Sequence, residues 1–425
     1  MKQLLVGVGQ EIITPPMGML LMGYSPMRPA LGVHDDLHVT AFAFETDGVQ
    51  ALLLSADLCN IKEPDGEVRR LIAQGVGVPE GNIIVSCTHT HSGPSTYKED
   101  GFLYEMFIPK AIRAAAAALA NRKPALMGIG QTYSDVAVNR RVIREDGSIG
   151  FGQNPHGSWD PTMTVVSFRE PDGTPIGNII QYGCHNTGSG KNDDVTRDWC
   201  GVAIDRLQAI AGGTTAFING CGGDCGPRLS NGETTGNLQM AMELGGKAAI
   251  DAVRAWRAIR TWEAAPLKVL RGDIELPLQD VGTPEQVLAQ AAAMGDPEQM
   301  KGLVRTSYDR LIERAQYLRE GNIPPKSSSI TCTLIALGNL AIMPLPFEPF
   351  SMITLRIQDA SPFPYTLVPG YSNGSLSYFP SMDQLIRGGY EVRLFKTMNL
   401  IPFAEDAEQH LVAGSLKLLR QLYQQ

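Results

Sequence analysis

The 425-residue sequence has no apolar run near the roughly 18 residues that a membrane-spanning helix needs, so no span is predicted. It has no basic excess either: 36 Lys and Arg stand against 44 Asp and Glu, a net charge of −8. With no Lys/Arg run, nucleic acid is excluded as the main partner. Cysteines are few and odd in number, at 59, 87, 184, 200, 221, 225 and 332. Most lie in apolar or Gly-rich runs, which suits buried free thiols in a reducing compartment better than a disulfide framework. Cys221 and Cys225 are four apart, which is not the CxxC spacing of a zinc ribbon or redox motif. Residues 1–9 hold one Lys and a short apolar stretch, and Glu11, Pro15 and Pro16 follow at once. No secretory h-region is present, so the expected location is cytoplasmic.

Glycine (45) and proline (28) are plentiful, which implies many loops, where binding and catalytic residues concentrate. Hydrophobic residues reach 43%, enough for a large core and too many for a disordered chain. Val49–Asp57 and Asn82–Cys87 read as buried strands around a short helix, Pro64–Gln74, with Asp65 and Glu67 in its first turn. Strand, helix and strand over that length make a βαβ unit with locally parallel pairing. An Ala-rich helix follows at about Met106–Asn121. Thr162–Arg169 and Pro175–Cys184 read as strands joined by a turn at Pro171-Asp172-Gly173. Next come a helix at Trp199–Ala211, a strand at Thr214–Asn219 and a helix at Leu238–Ile259, the last marked by a 3.6-residue apolar stripe. Residues 283–322 form a charged helical excursion, two helices broken near Gly295–Pro297, suited to an interface or a pocket lid. Pro324–Ser329 is the best linker candidate, Gly338-Asn339 signals a hairpin, and a last helix covers about Glu405–Tyr423. The expected fold is α/β, mixed sheets with flanking helices, in one large domain spanning 1–425.

Histidine is scarce, seven in all, so two of them in Thr88–Pro94 (THTHSGP) are informative. This run follows a buried strand. In extended chain, residues two apart point the same way, so His89 and His91 face one pocket at the carboxyl end of a strand, where α/β proteins place their sites. The alternative is a pair of hydrogen-bonded structural histidines. Zinc needs three or four ligands converging from separate segments. His185, again at the end of an apolar strand, reads equally as ligand or core. Glu348 stands in Leu345–Phe350 (LPFEPF), where a carboxylate is costly to bury unless it is paired or bound to a cation; a salt bridge to Arg is the other option. Tyr378 and Tyr390, taken singly, read as core or surface. The Gly-rich loop Gly220–Pro227 lacks a P-loop Lys-Ser/Thr and GxGxxG spacing, so a nucleotide site is rejected. It either turns the chain or presents Asp224 and backbone N–H groups to a site.

Taken in order, these segments resemble the neutral (non-lysosomal) ceramidase family of zinc-dependent amidases. The similarity lies in Gly7–Pro16, Met22-Gly23-Tyr24, Gly32–Leu37, the THTHSGP run, His185-Asn-Thr187, Pro346–Phe350, and Asn373–Tyr378 with Tyr390-Glu391, and it runs from about residue 5 to 400. The resemblance implies a zinc ion held by His89, His185, Glu348 and Tyr378. It implies that His91, Arg140 and Tyr390 surround the reacting water and carbonyl. His91 is the candidate general acid/base, since imidazole titrates near working pH, and Arg140 and Tyr390 are candidate oxyanion donors. Asp57 and Asp224 are candidates to orient a ligand histidine. Gly226 stands where the family has a serine, and no C-terminal immunoglobulin-like domain or export signal is seen. The expectation is therefore a zinc-dependent hydrolase of the C–N bond in a small acylated amide. Alternatives are an ester or lactone substrate, a ceramide-type lipid, a zinc isomerase or lyase, and a non-catalytic zinc-binding protein. A homo-oligomer is compatible with the sequence.

Overall fold

The computed structural model describes residues 3–62 and 66–425. Its centre is an eight-stranded sheet. The strand order is Thr214–Asn219, Pro175–Tyr182, Thr162–Arg169, Lys123–Tyr133, Leu4–Ile12, His38–Thr46, Val49–Ala56 and Ile83–Cys87. The two outermost pairings are parallel and the five inner ones antiparallel. The predicted βαβ unit is present, with helix Glu67–Val76 between its strands. The expected first turn at Pro64 and Asp65 lies outside the described residues.

Alternation along His38–Thr46 divides the core. Ala41 and Ala43 face the helices Glu67–Val76 and Ile108–Ala120, while Phe42 and Phe44 face a second, four-stranded sheet. In that sheet Leu267–Pro277 pairs with Ser327–Leu337 along all eleven residues. This corrects the predicted linker: the serines at 327–329 begin a strand, because their backbone groups pair with 275–277. Helices Asp198–Ala211 and Leu238–Arg257 pack on the far half of the main sheet around Trp199, Phe217 and Leu244.

The charged excursion forms two helices, Pro284–Ala293 and Gly302–Arg319, with a small core of Val287, Ala291, Leu311 and Ala315. A cavity of about 670 Å³ is lined by both this pair and helix Tyr390–Thr397. All seven cysteines are buried and free. No helix among the described residues is long and apolar enough to cross a membrane.

Topology positions the site. The ends of the two outermost strands come together, because Asn219 Nδ2 donates to both Thr88 O (3.1 Å) and Cys184 O (2.9 Å). Segments 88–91 and 184–187, which follow two different strands, are then stitched side by side by a Thr90–Asn186 bridge and by His91 N–H donating to Asn186 O.

Candidate metal centre

His89 and His185 enter from those two stitched segments. His89 has φ +67°, a left-handed backbone that non-glycine residues seldom adopt and that collects at functional sites. Its Nδ1 lies 2.6 Å from Cys59 O, so Nδ1–H donates there and Nε2 is the nitrogen that faces inward. The same holds for His185, whose Nδ1 is 2.8 Å from Gly222 O and 3.1 Å from Cys225 O. The Gly-rich loop thus serves the site through carbonyls. Neither Asp57 nor Asp224 orients a ligand histidine, contrary to expectation. Asp57 accepts from His38 N–H, and Asp224 accepts from Ser351 and Asn139.

Glu348 and Tyr378 arrive on a third structure. Two short strands, Glu348–Pro349 and Tyr378–Phe379, pair in parallel with Glu348 opposite Tyr378, so the two side chains share a face. Glu348 Oε2 is buried and makes no hydrogen bond among the described residues. It lies 3.4 Å from His89 Nε2 and 3.4 Å from His185 Nε2. Tyr378 OH is also 3.4 Å from His185 Nε2. Those separations are long for hydrogen bonds, yet they match the edge of a tetrahedron of donors around zinc. Bonds of about 2.0–2.1 Å give an edge of about 3.3 Å. His89, His185 and Glu348 therefore form a group able to hold a metal ion.

The electrostatics agree. Burial alone would raise the Glu348 pKa, but the facing His89 and His185 hold it well below the usual carboxylate range. His185 is pushed down to about 3 by burial, Arg140 and His89, so it is neutral and can donate a lone pair. His89 goes the other way. Against burial, the fields of Cys59 and Glu348 hold it up at about 10, so a metal taken at Nε2 would have to displace a proton there.

His91 differs from the other two histidines. Its Nε2 is 3.2 Å from His89 Nε2, but its Nδ1 is buried with no partner among the described residues. Burial and the neighbouring His89 and His185 push its pKa well down, favouring the free base. Gly23 packs on it with φ +112°, where a Cβ would fall 2.4 Å from His91 Cγ. Tyr24 meets the same ring edge-on at 5.0 Å.

Arg140 donates from Nη2 to Tyr378 OH and from Nε to Glu391 Oε1, each at 3.0 Å. Arg141 Nη1 binds the other oxygen of Glu391 at 2.5 Å. Glu391, 1% exposed, thus clamps two buried guanidiniums. Tyr390 begins that helix and stands at the rim, its ring 5.8 Å from Tyr378 and 5.3 Å from Phe151. All seven predicted site residues therefore fall in one cluster.

Sequence reasoning missed Glu391 as a participant, and Tyr371 altogether. Tyr371 stacks on His89 at 4.0 Å from φ +52°. The turn-forming run at 369–374 (PGYSNG) was the available signal. At the Gly226 position a Cβ would lie 2.6 Å from Thr234 Cβ, so Thr234 fills the space a serine side chain needs.

Fold and cluster together define a mixed α/β protein with a candidate metal centre where strand ends meet. The sequence profile of the neutral/alkaline non-lysosomal ceramidase N-terminal region matches residues 4–218, half of the chain. The protein belongs to that family. Neutral ceramidase B of Dictyostelium discoideum is 27% identical over 187 residues, 39% of this chain and 26% of that protein. The neutral ceramidase of Pseudomonas aeruginosa is 25% identical over 252 residues, 53% of this chain and 37% of that protein. These matches span 26–37% of the curated relatives' length. The crystal structure of the P. aeruginosa neutral ceramidase superposes with TM-score 0.76 at 19% identity, covering 100% of this chain and 75% of that one, so the fold is shared.

Proposed function

We propose that the protein is a zinc-dependent amidohydrolase acting on the C–N bond of a small acylated substrate. The observation that carries this is the 3.4 Å spacing of Glu348 Oε2 from His89 Nε2 and His185 Nε2, with Tyr378 OH at the same distance from His185. His89, His185, Glu348 and Tyr378 would hold the zinc, which when bound would supply an acidified water and a Lewis acid for the carbonyl. His91, with an unpartnered Nδ1 and a low pKa, takes the proton from the attacking water and passes it to the leaving nitrogen. Arg140 and Tyr390 donate to the oxygen that gains charge, a contribution of about 3–4 kcal/mol for one well-placed donor. Water adds across the amide. A C–O bond forms, the C–N bond breaks, and a carboxylic acid and an amine leave.

Family membership favours a second reading, a ceramide-type lipid as substrate. Comparing kcat/KM for short-chain and long-chain N-acyl substrates, with and without chelator, decides between them. A long-chain ceramide preferred by about a hundredfold overturns the small-substrate reading, and activity indifferent to chelation overturns the metal.

A further inference from the structure

The cavity of about 670 Å³ lined by the helical excursion and helix Tyr390–Thr397 has no part in the chemistry above, yet its size suits a small molecule. Every described residue that lines it falls within 279–397. Its charged lining is basic: Arg314, Arg387, Arg393 and Lys396 stand against a single acid, Asp280. Asp280 is partly spent on the Gly282 N–H at 3.0 Å, and Lys396 leans on Glu405 at 3.5 Å. Among the described residues no carboxylate lies within ion-pair distance of the three arginines.

Arg314 is the deepest of them, at 3% exposed. Its Nε and Nη2 donate to the carbonyls of Leu400 (2.6 Å), Asn399 (3.0 Å) and Lys396 (3.3 Å). A guanidinium has five N–H donors, and none of these bonds uses Nη1. Burial and the nearby Arg310 push its pKa down to about 10, the direction expected of a cation buried without a counter-charge. The cavity also has apolar walls: Leu311 and Val392 are buried, and Ile386, beside Arg387 in the chain, is 88% exposed.

The metal centre is a neighbour, reached through the helix. Arg393 Cζ lies 5.9 Å from the centre of the Tyr390 ring, which is 5.8 Å from that of Tyr378. Gly388, another lining residue, accepts from Arg141 Nη2 at 2.6 Å.

We infer that this cavity is a receptor for an anion with an apolar body, an alkyl phosphate or carboxylate, at a site separate from the metal. Guanidiniums match the oxygens of either head group in forked pairs, and the apolar walls take the alkyl chain. The inference stands independently of the amidohydrolase reading.

The test is calorimetric titration of the full chain, zinc-loaded and zinc-stripped, with four probes. Octyl phosphate and octanoate carry both features, inorganic phosphate only the charge, and octanol only the chain. At least one of the first two should bind once per chain, about tenfold or more tighter than phosphate or octanol, and equally with and without zinc. Replacing the exposed pair, Arg387→Gln with Arg393→Gln, should weaken that binding by about tenfold or more. It should leave zinc content unchanged, since neither residue is a proposed ligand. The absence of saturable binding by either amphipathic anion overturns the inference, as does affinity unchanged in the double variant. Binding that requires zinc places the anion on the metal and overturns the separate site. Octanol binding as tightly as octyl phosphate removes the role of the arginines, and inorganic phosphate doing so removes that of the apolar walls; either overturns the ligand class.

Discussion

Glu391→Gln removes one negative charge from a site where two guanidiniums share it. The carboxylate is 1% exposed, and Arg140 and Arg141 are 6% and 3% exposed, so water cannot replace it. At an effective dielectric of about 20, unit charges about 4 Å apart interact by about 4 kcal/mol. Removing one partner of a buried pair costs about 3–5 kcal/mol in practice. Glutamine keeps one acceptor but turns an N–H₂ toward a guanidinium, so the variant should lose about 3 kcal/mol in urea unfolding. The effect on rate has a separate route. Glu391 Oε1 fixes Arg140 Nε at 3.0 Å, and Arg140 Nη2 reaches Tyr378 OH. A loosened Arg140 is a misplaced oxyanion donor, for which about 10²–10³ in kcat is expected. Glu391→Gln should therefore bind zinc as the wild type does, lose stability, and lose kcat with KM little changed. A variant within 1 kcal/mol of the wild type, or within threefold in kcat, refutes the clamp. Loss of metal refutes the placement of Glu391 outside the ligand set.

Elemental analysis should find close to one zinc per chain in the wild type and in His91→Ala, and little in His89→Ala. His91→Ala should lose about 10²–10⁴ in rate, and equal metal loss in both variants would make His91 a ligand. Gly23→Ala drives a Cβ into the His91 ring and leaves Glu348 alone, so activity should fall by at least about tenfold with zinc retained. Full activity in Gly23→Ala would show that the ring can shift freely. Burial raises the Asp57 carboxyl to about 6, with Arg197 and the His38 N–H opposing. That lies above an unfolded value near 3.9, so the folded state prefers the proton. The contribution is whole below about pH 4 and lost as pH rises through about 6. Asp57→Asn should thus gain up to about 3 kcal/mol over the wild type at pH 8 and nothing at pH 4. Parallel unfolding curves at both pH values would refute that shift.

Much of the site could be read from residue spacing. His89 and His91 were expected together from strand periodicity and do meet, but the chain is left-handed at His89 (φ +67°) rather than extended; His185 was found by its own strand end. Glu348 stood out because a carboxylate among proline and phenylalanine needs a cation. Tyr378, Arg140 and Tyr390 had no such mark, and only family resemblance singled them out. Most predicted helices and the βαβ unit reappear within a few residues. Four long strands went unread: Leu4–Ile12, His38–Thr46 and Lys123–Tyr133 of the main sheet and the edge strand Leu267–Pro277 of the second. Several are buried on both faces or carry glycines, which erases the two-residue alternation that marks a strand.

The sequence by itself determined which chemistry-bearing residues exist and which of them end a strand, since both are local properties. Only the tertiary structure decided that strand ends about 100 residues apart meet through Asn219, and that Glu348 and Tyr378 pair across a two-residue ladder. It also decided that backbone carbonyls of Cys59, Gly222 and Cys225, not aspartates, aim the histidines. Carbonyls belong to every residue type, so no side-chain pattern can announce them. Glu391 gives the same lesson. A carboxylate at a helix start reads as solvated until folding buries it between Arg140 and Arg141, about 250 residues away in the chain.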